Sequence, residues 1–517
     1  MHHNLNHQCH YLTLTETLAD LCPDVRGANQ YVAGLSADSR QIAPGYIFFA
    51  YPGVDHDGRD YICEAVDRGA IAVVYESSKP YPMHLQAALD YAKQHGVLLV
   101  PVTDCQAIVG VVAARFYQNP SAQMSVVGVT GTNGKTSITM ILAQALDYLG
   151  CDVGLIGTLG WGRPGRLNAS TLTTPDPISL QSYCAQLRDD GVQTIIFEVS
   201  SHALSQGRIN GLNVDTAVFT NLTRDHMDYY STPEAYGAAK RRLFKHPGLR
   251  NAVLNYDDPL SKTILQDLDG AVNTMGVSEQ APSDITSCCY PQDIEVDAHG
   301  VSFVAYTPWG RQVIRSKLQG AFQVYNLMQS LVVLVELGVS FSDACRALSA
   351  VKSIPGRAEC IGEPGQPKVI VDYAHTPDAL MAILNHAQKM TNGRVWCVFG
   401  CGGERDQGKR SQMGQIAERF SDEVVLTDDN PRNENPTAII NDICQGILCP
   451  WAITIEHDRC AAIQYAIANA AADDVVVIAG KGHEQVQVVA GTYLSHSDIE
   501  HAQSRLSVWL QPLSKVA

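Results

Sequence analysis

Lys135 and Thr136 stand directly behind a glycine-bearing turn, Gly131-Thr132-Asn133-Gly134, which itself follows the apolar run 126–129. An ammonium and a hydroxyl at that spacing suit a nucleoside triphosphate. Turn N–H groups and the positive helix end face the anion, the lysine reaches the β/γ-phosphates, and the threonine hydroxyl serves Mg²⁺. The match to G-x-x-x-x-G-K-[ST] is imperfect: Val129 occupies the place of the first glycine, and Gly128 lies one residue early. An ordinary strand–turn–helix would have the same outline. Lys-Thr after the turn does little for packing, which favours the phosphate reading.

Other chemistry-bearing residues close apolar runs. Glu198 is the penultimate residue of the run 194–199, which is followed by Ser200-Ser201-His202. A glutamate at a strand end is ordinarily just solvated, but beside a phosphate loop and a polar cluster it suits Mg²⁺. The run 216–220 leads into Asn221-Leu222-Thr223-Arg224-Asp225-His226-Met227-Asp228. Lys240 sits in a helical run over 233–244, and spacing alone reads it as a solvated helix lysine. Asn326 opens the apolar helix 327–337, either as a cap or as a base-reading amide. Asp38-Ser39-Arg40 reads as a surface turn with an Asp/Arg pair.

The elements that must position these residues alternate strand and helix. Residues 1–122 carry an α/β pattern, with strands over 46–50, 70–75 and 96–102 and a helix over 61–68; 119–122 reads as a linker. A second unit runs over 123–352. From 353 to 517, strands over 368–372, 394–399, 423–426 and 474–478 each end in a polar or glycine-rich loop, with helices between them. Thr376-Pro377 reads as an N-cap with proline at the first helical position. In such sheets the ligand crevice lies at the carboxyl ends of the strands. The fold class is therefore α/β, with a mostly parallel central sheet and a doubly wound C-terminal domain.

Composition bounds the function. The 517 residues are 45% hydrophobic and 17% charged, as in a well-cored globular protein. A net charge of −16 argues against nucleic acid or an anionic membrane as main partner. The fifteen cysteines include no C-x-x-C and read as free thiols in a reducing compartment. The start, with His2, His3, His7 and His10, lacks a secretory pattern, and no apolar run reaches membrane-spanning length. A cytoplasmic protein is expected.

Taken in order, Thr130-Gly131-Thr132-Asn133-Gly134-Lys135-Thr136, Glu198-Val199-Ser200-Ser201-His202, the cluster 221–228, Asp372-Tyr373-Ala374-His375 and Asp429-Asn430-Pro431-Arg432 resemble the Mur ligase family of peptidoglycan synthesis over nearly the whole chain. The resemblance implies three domains: a UDP-sugar-binding domain (1–122), a P-loop ATPase-type domain (123–352) and a Rossmann-like amino-acid-binding domain (353–517). It implies a ligase that uses ATP and Mg²⁺ to convert a carboxylate to an acyl phosphate, which an amine then attacks. The partners are UDP-MurNAc-L-Ala-D-Glu and meso-2,6-diaminopimelate, the protein acting as a monomer without membrane insertion.

Residue roles follow from the resemblance. Lys135 steadies the phosphates within the loop 131–137, Gly131, Thr132, Asn133, Gly134, Lys135, Thr136 and Ser137. Thr136 and Glu198 hold one Mg²⁺; His226 and Lys240, the latter as a carbamate, hold the second. Asn326, Arg357, Asp372 and His375 surround the nucleotide. Ser39, Val54, Asp55 and His56 meet the UDP-sugar, and Thr173, Thr174, Ser200, Gln206 and Arg208 meet its peptide. Arg405, Asp429, Asn430, Pro431, Arg432, Gly480 and Glu484 form the amino-acid pocket. Diaminopimelate is lysine with an added distal carboxylate, so a forked cation such as Arg432 favours it over lysine. Gln323, Ala358 and Ser137 depart from frequent family residues without removing a charged or metal-binding group. The alternatives are a lysine-adding ligase, which Arg432 disfavours, and a non-catalytic scaffold, which has no need of Lys135, Glu198, His226 and Lys240.

Overall fold

The computed structural model of the protein describes residues 12–19, 21, 29–53, 56–78, 80, 82–281 and 287–510. Val54, Asp55 and the histidines at 2, 3, 7 and 10 lie outside them. The chain divides into two compact units, one of Met1–Val126, Ser170–Ile195 and His202–Val214, the other of Val127–Ala169, Ile196–Ser201 and Asp215–Ala517.

In the first unit four parallel strands lie in sequence order: β1 (Gly34–Ser36), β2 (Tyr46–Ala50), β3 (Ala70–Glu76) and β4 (Leu98–Val102). Parallel neighbours need crossovers, supplied here by the helices Ile62–Asp67 and Leu85–Gln94. Alternate strand residues face opposite ways, so Ile47, Phe49, Ala72 and Val74 pack in one cluster and Phe48, Ala50 and Val73 in another. Residues 119–122 are not an open linker. Pro120–Gln123 form a 3-10 turn with Pro120 and Ser121 buried, and Ser121 Oγ accepts the Asn213 N–H at 2.9 Å.

The second unit holds an eleven-stranded sheet. Its strands are β5 (Ser125–Thr130), β6 (Val153–Gly157), β7 (Gly160–Arg163), β8 (Arg166–Asn168), β9 (Thr194–Glu198), β10 (Thr216–Phe219), β11 (Asn251–Asn255), β12 (Asn273–Val277), β13 (Cys288–Asp297), β14 (Gly300–Thr307) and β15 (Gly310–Ser316). The order is β15-β14-β13-β12-β11-β10-β5-β9-β6-β7-β8. From β5 through β10, β11 and β12 to β13 the pairing is parallel, as expected. Antiparallel meanders, β13-β14-β15 and β6-β7-β8, flank it and had no separate signal in the sequence reading. The helices Lys135–Tyr148 and Phe322–Glu336 cover the sheet with Ile138, Ile141, Leu142, Leu327, Leu331 and Leu334.

A second sheet in this unit runs β16-β17-β21-β18-β19-β20: β16 (Glu359–Ile361), β17 (Lys368–Asp372), β18 (Val395–Phe399), β19 (Glu423–Leu426), β20 (Thr454–Ile455) and β21 (Val475–Ala479). Only β16 is antiparallel. Ile370, Cys397, Phe399 and Val477 pack on one face, and Val369, Val371, Val398 and Val476 on the other. Burial on both faces is why these strands read as unbroken apolar runs. A hairpin, β22 (Val486–Val489) and β23 (Thr492–Ser495), follows.

Thr376 caps the helix Pro377–Met390 as expected, accepting the Ala379 N–H. Asn326 is not a cap, because its helix begins at Phe322 and places it in the second turn. Among the described residues no disulfide forms, and no helix is long and apolar enough to cross a membrane.

Candidate active site

The turn after β5 is built by hydrogen bonds to the loop after β10. Thr132 N–H donates to Asn221 O (2.8 Å), Asn133 N–H to Asn221 Oδ1 (3.0 Å), and Thr220 Oγ1 to Asn133 O (2.5 Å). Gly131 has φ +151° and Gly134 φ +90°; a Cβ at Gly131 would overlap Thr220 Oγ1, so two separate constraints require glycine there. The Lys135 ammonium folds back over the turn, donating to Gly131 O (3.0 Å) and Thr132 O (2.9 Å). Thr136 Oγ1 donates to Glu198 Oε2 (2.9 Å) and accepts from Arg357 Nη2 (2.8 Å). A residue from the second sheet's side of the unit thus reaches the phosphate loop.

Glu198 is buried and oriented by Thr158, whose N–H donates to Oε1 (2.8 Å) and whose hydroxyl donates to Oε2 (3.0 Å). A Cβ at Gly157 would overlap Glu198, so that glycine leaves the carboxylate its room. Neither Gly157 nor Thr158 was singled out from the sequence. Their position at the end of β6, beside β9, was the only available signal.

Lys240 is where spacing misled. It is 1% exposed, not a solvated helix lysine. Its Nζ donates to Gly131 O at 2.7 Å and lies 4.2 Å from the centre of the Tyr236 ring. Burial, then the charge of Lys135, holds its amine well below the usual lysine range, although Asp225 and Asp258 pull the other way. Burial likewise lowers Lys135, against the opposing charges of Glu198 and Asp225.

Asp225 lies within the cluster 221–228, and no spacing rule gives it a role. It proves to be a buried hub. Its Oδ1 accepts from Lys409 Nζ (3.1 Å) and the His226 N–H (2.9 Å); its Oδ2 lies 3.3 Å from His375 Nε2 and 3.4 Å from His226 Nε2. Burial raises its carboxyl, but the His375 hydrogen bond and the His375, Lys409 and His226 charges prevail and hold it well below the usual range. His226 takes φ +57° here. Asp372 is also buried, its Oδ2 accepting the Ala358 N–H at 2.6 Å, and burial raises its carboxyl against the Arg357 charge. Arg357 lies over the Tyr373 ring at 4.4 Å. Asn326 Oδ1 faces Gly134, 2.9 Å from where a Cβ would stand. Lys135, Thr136, Glu198, His226, Lys240, Asn326, Arg357 and His375 therefore converge with the loop.

A second cluster in this unit gathers residues from three strand ends and a hairpin. Arg432 adopts φ +54°, is paired by its backbone to Val488 and Ala490, and donates from Nη1 to Gly403 O at 2.6 Å. A Cβ on Gly402 would lie 3.0 Å from that Nη1 and 3.7 Å from Arg405 Cγ, so the two arginines flank one small residue. Asn430 Nδ2 donates to Glu484 Oε2 at 3.0 Å. Gly480, at φ +114°, lies against Asp429, where a side chain would meet Oδ2 at 2.6 Å.

In the first unit Arg208 donates to Thr174 O (2.9 Å) and, from Nε and Nη2, to Gln206 Oε1 (2.9 and 2.6 Å). Ser39 Oγ donates to Glu64 Oε2 at 2.8 Å. Ser200, in the second unit, directly follows the strand that carries Glu198.

Among the described residues no three His, Cys, Asp or Glu side chains gather as a metal cage. Thr136 and Glu198 nevertheless offer adjoining hard oxygens at the phosphate loop. That donor set fits Mg²⁺, which uses one or two protein oxygens together with phosphates and water.

Three family descriptions match the chain: Mur ligase family, catalytic domain (residues 31–117); Mur ligase middle domain (129–334); and Mur ligase, glutamate ligase domain (356–482). The chain is 44% identical over 480 residues to the UDP-N-acetylmuramoyl-L-alanyl-D-glutamate–2,6-diaminopimelate ligase of Coxiella burnetii, covering 93% of this chain and 96% of that protein. A solved structure of a ligase with the same description is 31% identical, with a TM-score of 0.68, covering 96% of this chain and 99% of that one. The MurF ligase of Thermotoga maritima in complex with ADP shares the fold at 20% identity and a TM-score of 0.60, covering 92% of this chain and 96% of that one.

Proposed function

The chain belongs to the Mur ligase family, and on that premise we propose that it adds meso-2,6-diaminopimelate to the D-glutamate γ-carboxylate of UDP-MurNAc-L-Ala-D-Glu, a step of peptidoglycan precursor synthesis. ATP phosphorylates the carboxylate, giving an acyl phosphate and ADP. The amine of diaminopimelate attacks the acyl carbon, and phosphate leaves as the amide forms.

The difficulty of this reaction is bringing anions together, so its catalysts are cations and positioned dipoles. Lys135 carries charge to the β/γ-phosphates, and the N–H groups of Gly134, Lys135 and Thr136, at the start of the helix, cradle them. When bound, Mg²⁺ would neutralise phosphate charge, with Thr136 and Glu198 holding one ion and His226 and carbamylated Lys240 holding a second. Burial favours the neutral Lys240 amine, the form that adds CO₂ with loss of a proton, exchanging a cation for an oxygen donor. Asn326, Arg357, Asp372 and His375 border the nucleotide. In the first unit the family resemblance assigns Ser39, Val54, Asp55, His56, Thr173, Thr174, Gln206 and Arg208 to the UDP-sugar peptide; in the second unit it assigns Ser200 to substrate as well. The domain division is 1–122, 123–352 and 353–517, in a cytoplasmic monomer.

The observation that carries the choice of amino acid is that Arg405 and Arg432 flank Gly402 while Asn430 links Arg432 to Glu484, giving cations for a distal carboxylate in one cluster with an acceptor for a distal ammonium. The test is ADP release with UDP-MurNAc-L-Ala-D-Glu, ATP and Mg²⁺, with meso-diaminopimelate and L-lysine side by side. Turnover dependent on diaminopimelate is expected; preference for lysine, or ADP release with neither, refutes the reading.

A further inference from the structure

Lys481 follows Gly480 and has no part in the mechanism above. Its side chain is fully buried, with its ammonium between Asn430 Oδ1 (3.0 Å) and Glu484 Oε2 (2.7 Å). A lysine is rarely buried so fully unless it is paired. The Asn430 amide can face only one way, because Oδ1 meets two donors, Lys481 and the Val488 N–H at 2.9 Å. Its Nδ2 is thereby turned onto Glu484 Oε2. Glu484 Oε2 thus accepts two bonds. Its Oε1 has no hydrogen bond among the described residues, on a side chain 28% exposed.

We propose that Lys481 is a positioning residue of the amino-acid pocket: by holding Glu484 Oε2 and Asn430 Oδ1, it aims Glu484 Oε1 at the distal ammonium of the incoming diamino acid. The inference rests on reading Arg405, Asn430, Arg432, Gly480 and Glu484 as that pocket. A cation beside a cation's site is counterproductive unless its charge is already engaged, and here both of its partners are pocket residues. Without Lys481 the carboxylate is free to turn toward water, and the Asn430 amide loses one of the two donors that orient it. Substrate capture weakens while the phosphate chemistry, carried by other residues, does not.

The experiment compares full-length wild type, Lys481→Met, Glu484→Gln and the double variant. Each is assayed for meso-diaminopimelate turnover and for competition by 2-aminopimelate, which keeps the distal carboxylate and lacks the distal amine. Lys481→Met should raise KM for diaminopimelate about 10- to 100-fold, the scale of a lost charge-assisted hydrogen bond, with kcat within about threefold. The 2-aminopimelate competition constant should stay within about threefold, and Lys481→Met should add nothing to Glu484→Gln. Equal weakening of both compounds, or full loss again in the Glu484→Gln background, overturns the inference while leaving the pocket intact. If Glu484→Gln keeps the wild-type preference for diaminopimelate over 2-aminopimelate, the pocket reading falls, and the inference with it. Should Lys481→Met fail to fold, the charge-balanced double variant against Glu484→Gln still decides: equality supports the inference, and a further tenfold loss refutes it.

Discussion

Replacing Arg432 with alanine tests substrate choice most directly. Its Nη1 is engaged by Gly403 O at 2.6 Å and reaches Asn430 O at 3.4 Å. Nε and Nη2 have no hydrogen bond among the described residues, and they form the edge of a guanidinium that grips a carboxylate bidentately. Burial, and after it the charge of Arg405, presses the guanidinium below the usual arginine range, so an incoming carboxylate relieves an existing electrostatic cost. Two charge-assisted hydrogen bonds at roughly 1.5–3 kcal/mol each set an upper limit. Water replaces part of that, so the variant should lose about 2–4 kcal/mol of discrimination, or roughly 30- to 900-fold in the diaminopimelate-to-lysine ratio of kcat/KM. Alanine is the right replacement, since at φ +54° it meets about the same backbone strain as arginine, whereas glycine would relax the loop. The assay is ADP release with both amino acids. An unchanged ratio, or an equal fall for both, refutes the reasoning.

Two further outcomes follow from buried groups. Lys240→Ala should abolish turnover, with partial recovery by millimolar-scale formate or acetate if an oxygen donor is what the site lost; full activity without rescue refutes the carbamate. His386 is buried with neither ring nitrogen hydrogen-bonded, and burial, then Lys389 and Lys368, lower its pKa to about 4. Above about pH 6.5 both folded and unfolded forms are neutral, and the group leaves stability independent of pH. Between that value and about 4 only the unfolded form takes the proton, so the native state should lose up to about 3 kcal/mol as pH falls. Urea unfolding of His386→Leu against wild type should show a stability difference that widens in the variant's favour over that interval. A constant difference would show that His386 does not titrate this way.

Much of the fold was legible in the chain because its strands are buried on both faces. The runs at 368–372, 394–399 and 474–478 carry their signal in composition alone, since either face of the strand meets a helix. The antiparallel flanks were harder. β7 and β8 are only a few residues long, and β7 carries Gly160 and Gly162, so alternation is too short to register. Local chemistry also sufficed for Thr376-Pro377 as a helix start, where cap and proline act within one turn.

The sequence by itself determined the residue types the reaction needs and their order: a phosphate loop, an acid at a strand end, a lysine after His226, and an arginine in Asp429-Asn430-Pro431-Arg432. Those are local facts, set by covalent neighbours. Only the tertiary structure decided their environments. Lys240, which spacing reads as a solvated helix lysine, is a buried amine because its helix face turns onto Gly131, 109 residues away. Asp225 became a hub because Lys409 and His375 arrive from the other sheet of its unit. Burial and long-range electrostatics arise from side chains far apart in the chain, and no spacing rule encodes their meeting. The same division holds for Lys481, one residue in a glycine-rich loop by sequence and, in the fold, the group that holds Asn430 and Glu484 in place.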